Sequence, residues 1–167
     1  MPKNNLVENF LINFDNKKKL NNKNVINDYI FSLYKEKINI KKIINTKSKI
    51  IDRLIKKSWQ ENNLQLKNIS LIAVGGYGRS ELHPHSDIDL MVLFTSNPNS
   101  IERLFVERYI RFLWDIGLQV GNSVRTLNDC VIQARKDVTV LTNLMESRSL
   151  FGNTRLEKRL AVKLNPK

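Results

Sequence analysis

Two acids two residues apart, Asp87 and Asp89 in Ser86-Asp87-Ile88-Asp89-Leu90, are the residues best suited to chemistry. Side chains alternate along a strand, so Asp87 and Asp89 share one face while Ile88 and Leu90 enter the opposite layer. Bringing two carboxylates together out of water costs on the order of several kcal/mol, which a bound Mg²⁺, basic neighbours or solvent must offset. Upstream, Gly75-Gly76 closes an apolar run, and a ten-residue loop separates it from Asp87. Residues without Cβ let backbone N–H groups approach phosphate oxygens. A Gly-Gly turn alone is ordinary structure, and an Asp-x-Asp alone is an ordinary strand end. A phosphate cradle followed at this spacing by an acidic metal face is the equipment for metal-assisted phosphoryl or nucleotidyl transfer.

Other polar residues in this stretch admit two roles each. Arg79 either neutralises phosphate charge or lies on the surface, and Glu81 either orients Arg79 or faces water. Ser123 and Arg125 either bind substrate phosphate or ribose, or Arg125 pairs with Asp129 or a nearby carbonyl. His83 and His85 flank Pro84 and suggest zinc, but such sites need three or four ligands and Cys130 is remote in sequence. A proline-containing loop accounts for both histidines.

The elements that would position these groups follow from hydrophobic spacing. Apolar runs at 69–74 and 88–94, each closed by a turn signal, predict buried strands, and 118–124 predicts a third. Before residue 66 three amphipathic segments predict helices: Leu6, Phe10 and Leu11; Val25 through Leu33; and Ile40 through Trp59. Ser100 is expected to cap a helix carrying Ile101, Leu104, Phe105, Phe112, Leu113 and Ile116, with Gly117 at its left-handed end. Thr126 and Asp129 predict a reciprocal cap for the next helix, and Val138, Leu141, Leu144 and Met145 predict one more. The plan is α+β: an N-terminal helical arm over 1–66, then a small mixed sheet with flanking helices over 67–167.

At 167 residues and 19.5 kDa the chain fits one ordinary domain with a helical extension. The net charge of +12 is concentrated in residues 1–69, which hold 15 Lys/Arg against 6 Asp/Glu. Lys, Asn and Ile dominate there, with few aromatics placed to stack bases, so solvated faces explain the charge better than a nucleic-acid site. No apolar run is long enough to span a bilayer, because the uncharged stretch 90–101 is broken by Asn97 and Pro98. The N-terminus lacks an apolar secretory segment and Cys130 has no intrachain partner, so a reducing cytoplasm is expected.

The segment Val74-Gly75-Gly76-Tyr77-Gly78-Arg79 through Ser86-Asp87-Ile88-Asp89-Leu90 resembles the signature of the DNA-polymerase-β-like nucleotidyltransferases. With Leu113-Trp114-Asp115-Ile116-Gly117-Leu118-Gln119-Val120-Gly121-Asn122-Ser123-Val124-Arg125-Thr126, and a similar stretch over 137–152, it resembles more closely the bacterial uridylyltransferase/uridylyl-removing enzymes. The resemblance covers residues 70–152 well and the helical arm loosely. It implies the polymerase-β-like fold and Mg²⁺-assisted transfer of UMP from UTP to a tyrosine of the PII nitrogen-regulatory protein. Asp87 and Asp89 would be the catalytic metal ligands, and Gly75, Gly76, Arg79, Ser86, Ser123 and Arg125 would bind nucleotide. Family members add a phosphohydrolase domain and sensing domains beyond the length of this chain, so the resemblance implies a truncated, C-terminally incomplete transferase. The family commonly draws a third carboxylate from the strand at 118–124, where this sequence has Gln119, with Asp115 just before it. Two other readings stay open: a minimal nucleotidyltransferase with another acceptor, or a non-catalytic remnant acting as a regulatory binding module.

Overall fold

Strands β1 (Ile69–Ala73) and β2 (Ile88–Phe94) are almost continuously apolar because both of their faces are covered, leaving Asp89 as the one exposed position between them. The computed structural model of the protein describes residues 6–7, 22–61 and 68–164. Phe10 and Leu11 of the first expected helix lie outside these residues, while Leu6 and Val7 are helical.

Helices α1 (Asn22–Lys35) and α2 (Ile40–Glu61) precede β1. A single helical turn, α3 (Gly75–Gly78), follows it, where the sequence predicted only a turn. After β2 come α4 (Ser100–Asp115), β3 (Val120–Thr126), α5 (Leu127–Lys136), α6 (Val138–Met145), β4 (Arg148–Gly152) and α7 (Thr154–Leu164). The sheet order is β3-β2-β1-β4. β1 pairs antiparallel with both β2 and β4, whereas β2 and β3 run parallel and are joined through α4, as a parallel pair requires a crossover.

One face of the sheet packs Leu71, Leu90 and Val92 against Ile26, Ile30, Ile51, Ile55 and Trp59 from α1 and α2, and against Tyr109 from α4. The helices before residue 66 thus share one apolar core with the sheet. The opposite face packs Ile72, Met91 and Leu93 against Leu127, Leu144, Leu156 and Leu160. No described helix is long and apolar enough to cross a membrane.

Two local details depart from the sequence reading, and a third follows it. Asn99, not Ser100, caps α4: its side chain accepts from the Glu102 N–H and the Glu102 carboxylate accepts from the Asn99 N–H. The third strand is displaced from 118–124 to Val120–Thr126, because the turn at Gly117 (φ 82°) ties the Leu118 N–H to the Leu113 carbonyl. Its far end is drawn on to Thr126 by the parallel register with Phe94 of β2. The expected Thr126–Asp129 cap of α5 is present in reciprocal form.

Candidate active site

The end of β1 and the start of β2 lie side by side: Ala73 pairs with Leu90, and the Val74 N–H donates to the Asp89 carbonyl at 3.1 Å. The chain then turns into α3 through Gly75, whose φ of 57° lies in the left-handed region that glycine adopts without strain. The leading N–H groups of a helical turn have no partner within it and are available to an anion.

Asp89 is the centre of the arrangement. A Cβ on Gly75 would stand 3.8 Å from Asp89 Oδ2 and 3.5 Å from Asn143 Oδ1, and a Cβ on Gly121 would stand only 2.8 Å from Asp89 Oδ1. Gly121 is the register partner of Asp89 across the parallel β2–β3 ladder. The carboxylate therefore lies between two positions that carry no side chain. Burial, and then the neighbouring charge of Asp87, lift the Asp89 carboxyl above the usual aspartate range. Among the described residues, no hydrogen bond or ion pair engages either carboxylate.

Two unpaired carboxylates beside bare glycine backbone suit a hard divalent cation completed by water or phosphate oxygens. The described residues contain no group of three or more potential metal ligands. Gln119 of the third-strand region accepts a hydrogen bond from Lys23 Nζ, and Asp115 is exposed at the end of α4. A cation here would thus rest on the Asp87–Asp89 pair and its substrate.

A cavity of about 340 Å³ opens from Asp89, and Gly75, Gly121, Ser123, Arg125 and Asn143 line it. Ser123 and Arg125 reach it because alternate residues of β3 share the face of Asp89. The Asp129 carboxylate accepts from the Thr126 N–H at 2.8 Å and the Thr126 hydroxyl at 2.7 Å, and the nearby charge of Arg125 acts on it to a smaller extent. Those bonds hold the Asp129 carboxyl below the usual range. Asp87 borders an adjoining cleft that also touches Gly121.

Arg79, Gly76 and Ser86 do not line this cavity. Arg79 Nε donates to Glu81 Oε2 at 2.9 Å and its Nη1 donates to Glu146 Oε2, so two carboxylates already balance its charge. Gly76 sits behind Gly75 in α3, its Cβ position 3.4 Å from the Glu81 carbonyl. The Ser86 hydroxyl donates to the His83 carbonyl at 2.9 Å and shapes the loop. That loop is anchored from beneath by buried Lys47, whose Nζ donates to the carbonyls of His83 (2.7 Å) and Pro84 (2.6 Å). Burial, with Lys23 nearby, lowers the Lys47 amine to about 8. Asn143 and the role of Gly121 were not read from sequence: each depends on a tertiary approach, of α6 to α3 and of β3 to β2, that no local spacing encodes.

The nucleotidyltransferase domain family matches residues 52–148, and the chain belongs to that family. The matched region is thus a nucleotidyltransferase domain, with the α+β fold and four-stranded mixed sheet described above. The chain is 47% identical over 122 residues to the bifunctional uridylyltransferase/uridylyl-removing enzyme of Pseudomonas fluorescens strain SBW25, covering 72% of this chain and 14% of that protein. It is 42% identical over 134 residues to the enzyme of the same name from Pseudomonas savastanoi pv. phaseolicola, covering 80% of this chain and 15% of the relative. The chain therefore spans about one seventh of the length of these curated relatives. A crystal structure of a mutant of the toxin-antitoxin MntA-HpeT overlays with a TM-score of 0.43 at 17% identity, covering 68% of this chain and 82% of that one.

Proposed function

We propose that the Asp89 site transfers UMP from UTP to a tyrosine hydroxyl of the PII nitrogen-regulatory protein, with Mg²⁺, in the cytoplasm. The observation that carries this reading is the placement of the Asp89 carboxylate between Gly75 and Gly121, at the mouth of a cavity shared with Ser123 and Arg125. The names of the relatives supply the choice of uridylyl group.

In this reading Asp87 and Asp89 hold the Mg²⁺, which when bound offsets triphosphate charge and orients the reacting phosphate. The Gly75 N–H donates to a phosphate oxygen at the start of α3, and Gly76 behind it lets the chain turn. The Arg125 guanidinium adds a fixed positive charge on the β3 wall, and the Ser123 hydroxyl beside it serves phosphate or ribose. Arg79 and Ser86 act indirectly, by holding the ends of the loop between turn and acids. The tyrosyl oxygen bonds to the α-phosphorus as the bond to the bridging oxygen breaks, pyrophosphate leaves, and the phenolic proton passes to water. The charge that develops on the phosphate oxygens is met by groups already in position.

The test is calorimetric titration of the purified chain with each nucleoside triphosphate, with and without Mg²⁺. UTP is expected to bind in a Mg²⁺-dependent manner and more tightly than the others. Binding that ignores both Mg²⁺ and the Asp89→Asn substitution would remove the reading.

A further inference from the structure

The glycine turn is held from behind by two residues from distant parts of the chain, Asp52 and Arg148, which meet Tyr77 of the turn itself. Arg148, the β4 residue paired with Ala73 at the end of β1, extends its guanidinium beneath α3. Its Nη1 donates to Asp52 Oδ2 at 2.8 Å and its Nη2 to Asp52 Oδ1 at 3.1 Å, a two-pronged ion pair with α2. The same guanidinium donates to the carbonyls of Tyr77 and Gly78, each at 3.3 Å. The Tyr77 hydroxyl closes the ring by donating to Asp52 Oδ1 at 2.7 Å, and the guanidinium lies 5.5 Å from the centre of the Tyr77 ring. Tyr77 is fully buried and Arg148 and Asp52 are partly buried.

The last carbonyls of a helix lack partners within it; here the Tyr77 carbonyl accepts from the Ser80 N–H at 3.0 Å as well as from Arg148, and the Gly78 carbonyl accepts from Arg148. A guanidinium supplies both the donors and the favourable charge at that end of the turn. Because α3 is one turn long, fixing its carbonyl end fixes the direction of its N–H end, which opens towards Asp89. The turn has no slack on its other side, since a Cβ on Gly78 would stand 2.1 Å from the Glu146 carbonyl and 3.0 Å from the Ala73 carbonyl.

We infer that Asp52, Tyr77 and Arg148 form a positioning network that aims the Gly75–Gly78 turn at the triphosphate, so that nucleotide binding depends on an ion pair between α2 and β4. The inference rests on the nucleotide reading of the site but concerns residues that touch neither nucleotide nor metal. It also accounts for a structural need for α2, which brings Asp52 beneath the turn from a part of the chain that contributes nothing else to the cavity.

The decisive variant is Arg148→Lys, which keeps the charge opposite Asp52 but loses the planar fork that reaches two carbonyls and a carboxylate together. In the full chain without nucleotide, amide hydrogen exchange over residues 75–79 is expected to accelerate about tenfold, while residues 88–94 of β2 keep the wild-type rate. Affinity for α,β-methylene-UTP with Mg²⁺ is expected to fall by about the same factor. Tyr77→Phe, which removes only the hydroxyl's bond to Asp52, is expected to give a smaller effect in the same direction. Unchanged exchange at the turn overturns the inference, as does an equal rise throughout β2, which would mark general destabilisation. A looser turn with unchanged affinity overturns it too. Should the wild-type chain fail to bind the analogue, the proposed function falls, and the exchange comparison still decides whether the network holds the turn.

Discussion

Gly121 stands opposite Asp89 in the parallel β2–β3 ladder, and a methyl group at Gly121 would come within 2.8 Å of Asp89 Oδ1. The backbone of β3 thus forms one wall of the carboxylate's seat. Gly121→Ala puts that methyl against the free end of a short side chain, so Asp89 can rotate away with little cost to the fold. The expected stability change is under about 1 kcal/mol, since alanine is favoured over glycine within a strand. Nucleotidyl transfer is expected to fall roughly 10²-fold, because a preorganised charge has moved. Paired thermal melts and transfer rates check this; equal rates in the two proteins would show that Asp89 needs no such seat.

Asp89 also couples stability to activity. Its carboxyl is raised in the fold by burial and by Asp87, so the native state holds the proton more tightly than the unfolded chain does. Its contribution is therefore present at low pH and lost as pH rises through the raised value. At neutral pH without metal, Asp89→Asn is expected to melt at a slightly higher temperature than wild type while losing transfer activity roughly 10²-fold. Mg²⁺ is expected to stabilise the wild type and not the Asn variant. A variant that is both less stable and Mg²⁺-responsive would contradict this assignment.

Lys47 gives a second pH effect of the opposite kind. Its amine is lowered to about 8 by burial, from an ordinary lysine value of 10.5. Between those values the unfolded chain binds a proton that the folded chain has released, so stability rises with pH across that window. Chemical denaturation from about pH 8 to 9 is expected to show this rise, below the range where tyrosines ionise. Lys47→Met is expected to flatten the rise and, by releasing the carbonyls of His83 and Pro84, to loosen the loop before Asp87. A slope that survives in Lys47→Met would assign the effect to another group.

Much of the framework was legible in the sequence because it is fixed locally. Apolar runs with sharp ends marked β1 and β2 within a residue, and the Thr126–Asp129 spacing marked the start of α5. The Asp-x-Asp spacing and the glycine pair marked two segments that the fold brings side by side at the candidate site. What was missed depends on distant approach. β4 is five residues long, only partly buried and irregular in its pairing with β1, so Arg148–Gly152 carries little pattern of its own. Arg79 read as a phosphate ligand from its place beside the glycines, yet α6 brings Glu146 to it from 67 residues away. Asn143 reaches Gly75 by that same packing of α6, and Asp52 reaches Arg148 across 96 residues.

The central claim, that the carboxylate held between Gly75 and Gly121 serves UMP transfer, is tested most directly by intact-mass analysis of PII protein incubated with the chain, UTP and Mg²⁺. The account predicts addition of one UMP to a PII tyrosine, abolished by chelation of the metal and reduced roughly 10²-fold or more in Asp89→Asn. PII that stays unmodified while the chain binds Mg²⁺ and UTP, or that is modified equally well by Asp89→Asn, would contradict it.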